Sequence, residues 1–202
     1  MSASPVTEHF ANNFYFDRHF DRQAAKILPG EYCVSSTGML LVTVLGSCVA
    51  ACIRDRELGL GGMNHFMLPE DSRKETAGAS ARYGTFAMEI LINHLLKLGA
   101  RRSRLEAKVF GGGAVMASLA NSNVGVRNAD FVLDFLATEK IPVLASDLLD
   151  SYPRKVYYFS DTGRVLVKKL NRVHNDTLFV RERSYRDSLA TEQVSGDVEL
   201  FI

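Results

Sequence analysis

The sequence predicts a single layered α/β (α+β) domain, in which mixed β-sheets pack against a few helices. Two observations carry that expectation. Short apolar, β-branched runs bounded by Gly, Ser, Asn and Asp recur along the chain, at residues 40–45, 49–53, 105–110 and 141–146. Such runs fit a pleated, buried surface. Between them lie two stretches of helical periodicity, about residues 82–98 and 128–140. Strands mixed with helices, and no repeat of fixed period, imply layers around one core. The 202 residues, 47% apolar and 23% charged, suffice for one soluble domain with a sizeable core.

Residues 1–26 mix Asn, Asp and Arg with Phe10, Phe14, Tyr15, Phe16 and Phe20. Aromatics at this density are not typical of disorder, so the segment reads as an extension that docks on the domain or on a partner. His9 and His19 within it read as exposed bystanders. Leu28-Pro29-Gly30-Glu31 is a turn, residues 32–35 a short strand, and Ser36-Thr37-Gly38 turns the chain into the apolar strand 40–45. Gly46-Ser47 stops that strand, Cys48 follows at once, and residues 49–53 carry the chain away to a charged turn, Arg54-Asp55-Arg56-Glu57. The chain then passes Gly59, Gly61 and Gly62 to His65, seventeen residues after Cys48. Residues 70–81 are polar and read as a loop. Phe86, Ala87, Ile90, Leu91, His94, Leu95 and Leu98 form a helical stripe closed by Gly99 at a C′-like position. His94 reads as a core or edge histidine of that stripe.

Arg101 to Arg104 is a basic turn, and the strand 105–110 ends in Gly111-Gly112-Gly113. No Gly-Lys-Ser/Thr follows the triplet and it is not GxGxxG, so it reads as a close backbone approach or a loop lining a site. Residues 114–120 read as a helical turn and 121–127 as a loop with a brief strand. Asn128 is read as the N-cap of a helix that puts Phe131, Val132, Phe135 and Leu136 on one face. A strand at 141–146 follows, then a hairpin of residues 155–160 and 164–170 around Asp161-Thr162-Gly163. Beyond Asn171 the sequence is charged, then ends apolar at 198–202, as either an added strand or a docking segment.

Lys plus Arg number 24 against 23 Asp plus Glu, a net charge of +1, which gives no electrostatic grip on nucleic acid or anionic lipid. No apolar run approaches the roughly 20 residues of a membrane span. The first residues lack the pattern of a secretory signal. Three cysteines without framework spacing indicate a reducing compartment, hence the cytoplasm.

The chemistry-bearing pair is Cys48 and His65. A glycine just before a cysteine lets backbone N–H groups approach a bound carbonyl, and a thiol needs a base to become a thiolate. The plain alternative is a buried core cysteine and a satisfied histidine. Cys48 and Cys52 are four apart, but a zinc site needs further Cys or His pairs and CxxxC is a weak redox motif. No metal or cofactor is indicated.

The segments GSCVAACIRD, GGMNHFMLP, LEAKVFGGGAVM and NVGVRNADFVLDFL together resemble the chemoreceptor glutamine deamidase family of bacterial chemotaxis, CheD, over roughly residues 27–170. The resemblance implies an α/β layered sandwich with the cysteine near a sheet end. It makes 27–170 the deamidase domain, 1–26 an N-terminal extension and 171–202 a C-terminal one. It implies Cys48 as nucleophile, His65 as its base and a threonine shortly before the cysteine as third catalytic residue. Thr43 is the only threonine in the run, although relatives can carry it six residues ahead of the cysteine, where this chain has Val42. Backbone N–H groups of Gly46, Ser47 and Cys48 are the natural oxyanion donors, with Gly111 and Gly112 in the substrate loop. Relatives carry a glycine-rich turn after Asp147, where this chain reads Leu148-Leu149-Asp150-Ser151-Tyr152-Pro153. The implied substrates are glutamines on methyl-accepting chemotaxis receptors, and a CheC-like phosphatase is an implied partner of some relatives.

A thiolate–imidazolium pair would hold the Cys48 thiol below the free value of about 8.5. Three functions compete on these observations. The first is cysteine-dependent deamidation of protein glutamines. The second is a binding module that regulates a response-regulator phosphatase or the receptor array. The third is a thiol hydrolase of other amides or esters, receptor methyl esters included.

Overall fold

The structure is a computed structural model that describes residues 10–69, 78–115, 123–170 and 176–191. Among the described residues ten strands make two mixed five-stranded sheets. The first holds β1 (Asn13–Asp17), β2 (Arg22–Lys26), β4 (Leu40–Leu45), β9 (Arg154–Phe159) and β10 (Val165–Lys169), in that order. The second runs β3 (Tyr32–Ser35), β6 (Leu60–Asn64), β5 (Val49–Asp55), β7 (Leu105–Gly111) and β8 (Val143–Leu148). Strand pairs β2–β4 and β7–β8 are parallel and the rest antiparallel. The described helices are α1 (Gly78–Lys97), α2 (Val124–Thr138) and α3 (Asp176–Thr191), with a 3-10 turn at Arg102–Arg104.

Side-chain alternation along β5 sets the layering, because successive residues of a strand point to opposite faces. Val49, Ala51 and Ile53 pack with Leu91, Leu95, Val132 and Leu136 under α1 and α2. Cys48, Ala50 and Cys52 face the other way, into a core shared with Leu41, Leu45, Val156 and Tyr158 of the first sheet. The second sheet is therefore the middle layer, with helices on one side and the first sheet on the other. This is the layered α+β sandwich expected from the sequence.

Several expectations need correcting. Residues 10–26 add two strands to the first sheet: β1 and β2 form a hairpin, and β2 pairs in parallel with β4, Ala24 opposite Leu40. Ala24 and Ala25 are fully buried, and methyl side chains let this strand lie close under its neighbours. The stretch through Gly61 and Gly62 is a central strand, β6. Its glycines hide the strand from propensity, and they are there because both layers press on it. A Cβ at Gly61 would collide with the Ser160 carbonyl, and one at Gly62 would lie 2.7 Å from Leu91 Cδ1. Helix α1 starts at Gly78, inside the stretch read as a loop. It buries Met88, Leu91, Ile92 and Leu95, while Phe86 and Leu98 of the expected stripe are exposed. Gly99 ends it with φ +101, its N–H bonded to Leu96 O.

Helix α2 begins at Val124, not Asn128, so the loop expected at 121–127 is helical from residue 124. Val124, Gly125 and Val126 are poor helix formers, but Gly125 packs its bare backbone on Gly112, and tertiary contact outweighs propensity. The turn after Asp147 places Leu149 and Asp150 at φ +65 and +71. The charged stretch beyond Asn171 contains helix α3, which carries no apolar stripe to announce it. The expected loop at 70–77, the turn at 116–120 and the apolar segment 198–202 lie outside the described residues.

Candidate active site

Cys48 sits at the crossing between sheets, after β4 and immediately before β5. Its turn is held by its carbonyls. Gly112 N–H donates to Cys48 O (2.8 Å) and Gly113 N–H to Gly46 O (2.7 Å). Asn128 donates from Nδ2 to Ser47 O (2.8 Å), and its Oδ1 accepts from Leu68 N–H (2.8 Å). The approach requires glycine: Gly111 and Gly112 stand at φ +113 and +69, and a Cβ at Gly111 would collide with Cys48 O. Buried Arg154 fixes the glycine strand in turn, donating to the carbonyls of Gly111 (2.6 Å), Asp147 (2.9 Å) and Leu149 (2.6 Å). With their N–H groups so used, Gly112 and Gly113 position the turn and do not serve as oxyanion donors.

His65 follows β6. The register that pairs Cys52 with Met63 and Val49 with Phe66 sets Ala50 opposite His65. Cys48 is then the diagonal neighbour of His65 on the same face, with no hydrogen bond joining thiol and imidazole in this arrangement. Thr43 enters from the first sheet. In β4, Leu41 and Leu45 point into the inter-sheet core while Leu40 and Val42 point outward to Phe159, so Thr43 faces inward and Val42 does not. Its hydroxyl donates to Ile27 O (2.8 Å) and accepts from His65 Nδ1–H (2.8 Å). That pairing puts the imidazole proton on Nδ1 and leaves Nε2 as a base. Nε2 is buried with no hydrogen-bond partner among the described residues.

The turn's N–H groups meet one carboxylate, Glu182 of α3. Oε1 accepts from Gly46 N–H (2.8 Å) and Cys48 N–H (3.4 Å), and Oε2 from Ser47 N–H (3.1 Å) and Ser47 Oγ–H (2.9 Å). Glu182 is 1% exposed. Burial first, then the charge and hydrogen bond of Glu182, push the Cys48 thiol well above its ordinary range. Burial also pushes the His65 imidazole down to about 4, against an upward pull from the Ile27 backbone. The pair is neutral as it stands. The thiolate–imidazolium pair expected from the sequence is not present in this arrangement, because both groups are dry and the nearest charge is negative. Cys33 and Cys52 are buried and free, with burial pushing Cys33 up to about 12 and Cys52 higher. Among the described residues no three His, Cys, Asp or Glu side chains gather as a metal site.

Two contributors escaped the sequence. Asn128 reads as a helix cap but lies inside α2 as a buried strut, 81 residues from the carbonyl it holds. Glu182 gave no signal, being one acid in a charged stretch.

A thiol, an imidazole oriented by a hydroxyl, and a nest of backbone donors beside the thiol form the arrangement used by thiol amidohydrolases. Residues 67–169 match the family model described as CheD chemotactic sensory transduction. The chain is 72% identical to the probable chemoreceptor glutamine deamidase CheD 1 of Dechloromonas aromatica (strain RCB), over 96% of this chain and 97% of that one. It is 61% identical to the probable chemoreceptor glutamine deamidase CheD of Herminiimonas arsenicoxydans, at 96% and 97% coverage. It is 56% identical to the protein of that description from Methylobacillus flagellatus, at 98% and 100%. The chain belongs to the CheD family. Among solved structures, the Bacillus licheniformis hypothetical protein YfiH overlaps 74% of this chain and 64% of its own at a TM-score of 0.37 and 12% identity. No helix among the described residues is long and apolar enough to cross a membrane.

Proposed function

We propose that this protein hydrolyses glutamine side chains of methyl-accepting chemotaxis receptors to glutamate, through a thioester on Cys48. The observation that carries the reading is the convergence of three consecutive N–H groups, Gly46 to Cys48, on a single carboxylate beside the thiol. With that place free, a glutamine carbonyl oxygen fits the same donors. His65 Nε2 takes the proton of Cys48 Sγ–H as sulfur attacks the side-chain carbonyl carbon. The N–H groups hold the resulting oxyanion, each worth about 2.7–4 kcal/mol in comparable sites. His65 gives its proton to the departing nitrogen, the C–N bond breaks, and ammonia leaves. A water then loses a proton to His65 and attacks the thioester; the C–S bond breaks, glutamate is released, and the proton returns to sulfur. Thr43 keeps the imidazole in the tautomer that this sequence needs.

This reading places the protein in the cytoplasm, with the receptors as partners and a CheC-like phosphatase as a further one. Mass spectrometry on a receptor fragment tests it. Wild-type protein should add about one dalton per converted glutamine, the mass difference between amide and acid, and Cys48→Ala should add none. No conversion by the wild type, or loss of a methyl group instead, would replace this reading by a binding module or an esterase.

A further inference from the structure

We propose that α3 is a resident product analogue: Glu182, presented from a helix, occupies the place of the glutamate side chain that the reaction forms, and the surface under α3 is where a substrate helix docks. The proposal rests on the reading of the site as a glutamine deamidase.

A glutamate carboxylate is the product group of glutamine hydrolysis, and Glu182 holds it in the donor nest of the nucleophile's turn. The cradle is shaped for such a group, since a Cβ at Gly46 would lie 2.8 Å from both carboxylate oxygens. Tyr185 and Leu189 also hold α3 to the domain. Glu182, Tyr185 and Leu189 share one face by their spacing of three and four; Leu189 is buried, and the Tyr185 hydroxyl meets that of Tyr83 on α1. The Tyr185 ring lies over Gly30, where a Cβ would come within 2.9 Å of it. Outside that face Val180, Arg181 and Arg183 are exposed. A helix that brings a carboxylate into the nest can be replaced there by another helix that presents a glutamine at the same point. While it stays, the thiol is covered, and the carboxylate beside it opposes thiolate formation.

Three full-length variants decide this. In Glu182→Ala, iodoacetamide should alkylate Cys48 at least about ten-fold faster than in the wild type, with turnover of a receptor-helix peptide rising alongside. Equal alkylation rates in folded proteins overturn the proposal. Glu182→Gln keeps the shape and makes the helix a substrate: the introduced amide plus water should become glutamate plus ammonia. The peptide carrying position 182 should gain about one dalton with time, and should not in the Cys48→Ala/Glu182→Gln double variant. An introduced amide that persists while the receptor peptide is converted overturns the product pose. If alkylation quickens in Glu182→Ala and neither the introduced amide nor the receptor peptide is converted, α3 guards the thiol and the deamidase reading is what falls.

Discussion

At the scale of single residues, the site depends on one hydroxyl serving two partners. Thr43→Val keeps size and branching but removes the hydroxyl that serves both the Ile27 carbonyl and His65 Nδ1–H in a buried place. The stability loss should be about 1–3 kcal/mol, the usual cost of stranded polar groups. Because the freed imidazole can adopt the other tautomer, kcat should fall by roughly ten-fold or more with little change in KM, and Thr43→Ser should recover most of it. A Thr43→Val enzyme with unchanged kcat would remove threonine from the site. The same burial makes the protein sensitive to acid. His65 titrates at about 4 when folded, below its ordinary value of about 6.5. Its stabilising contribution is thus complete above the unfolded value and is lost as pH falls through the folded one. Between pH 6.5 and 4 this amounts to about 3 kcal/mol. Urea unfolding at pH 7 and pH 4 should show a smaller acid loss for His65→Gln than for the wild type; equal losses would place the acid sensitivity elsewhere.

Elements position what residues do. The nucleophile's turn joins β4 of one sheet to β5 of the other, and its carbonyls are tied to the end of β7 and to α2. Asn128→Ala should strand Ser47 O and Leu68 N–H together, lowering stability by about 1–3 kcal/mol and reducing iodoacetamide selectivity for Cys48. Asn128→Asp should not rescue it, since a carboxylate cannot donate to Ser47 O. Rescue by aspartate would mean that the contact with Leu68 alone matters. Much of this scale was legible in the sequence: β3 and β4 stand where their apolar runs put them, and the Asp161-Thr162-Gly163 hairpin follows its turn residues. Thr43 was legible as the lone threonine of its run, and the parity of β4 turns that place inward while Val42, one place earlier, faces out. What was hidden has a common cause. β6 is glycine-rich because layers crowd it, the first turn of α2 is held by packing on Gly112, and α3 is polar with one decisive contact 134 residues from its partner. None of these leaves a periodic trace, since each is fixed by what lies across the fold.

On the scale of the whole molecule, the candidate site is a property of the gap between sheets. Thr43 stands on the first sheet, while His65 and Cys48 flank the second, so the Thr43–His65 hydrogen bond spans two layers. Two adjacent glycines of β6 allow the gap to be perturbed from one side at a time. Gly61 faces the first sheet, where a Cβ would meet the Ser160 carbonyl and the Tyr158 hydroxyl; Gly62 faces α1, where it would meet Leu91 and, on β3, the Cys33 carbonyl and Val34. Overpacking at either position should cost about 1–3 kcal/mol. The consequences for catalysis should differ. Gly61→Ala wedges the sheets apart and stretches the Thr43–His65 contact, so kcat should fall even at temperatures where the variant is fully folded. Gly62→Ala presses on α1 and β3, away from the gap between the sheets, and should leave kcat of the folded fraction within a few-fold of the wild type, as expected for a change that acts on stability alone. Circular dichroism melts paired with peptide turnover separate the two effects. If both variants lose activity only in proportion to their unfolded fraction, the separation between the sheets does not govern the chemistry, and the hydroxyl–imidazole contact tolerates a wider gap than its 2.8 Å suggests.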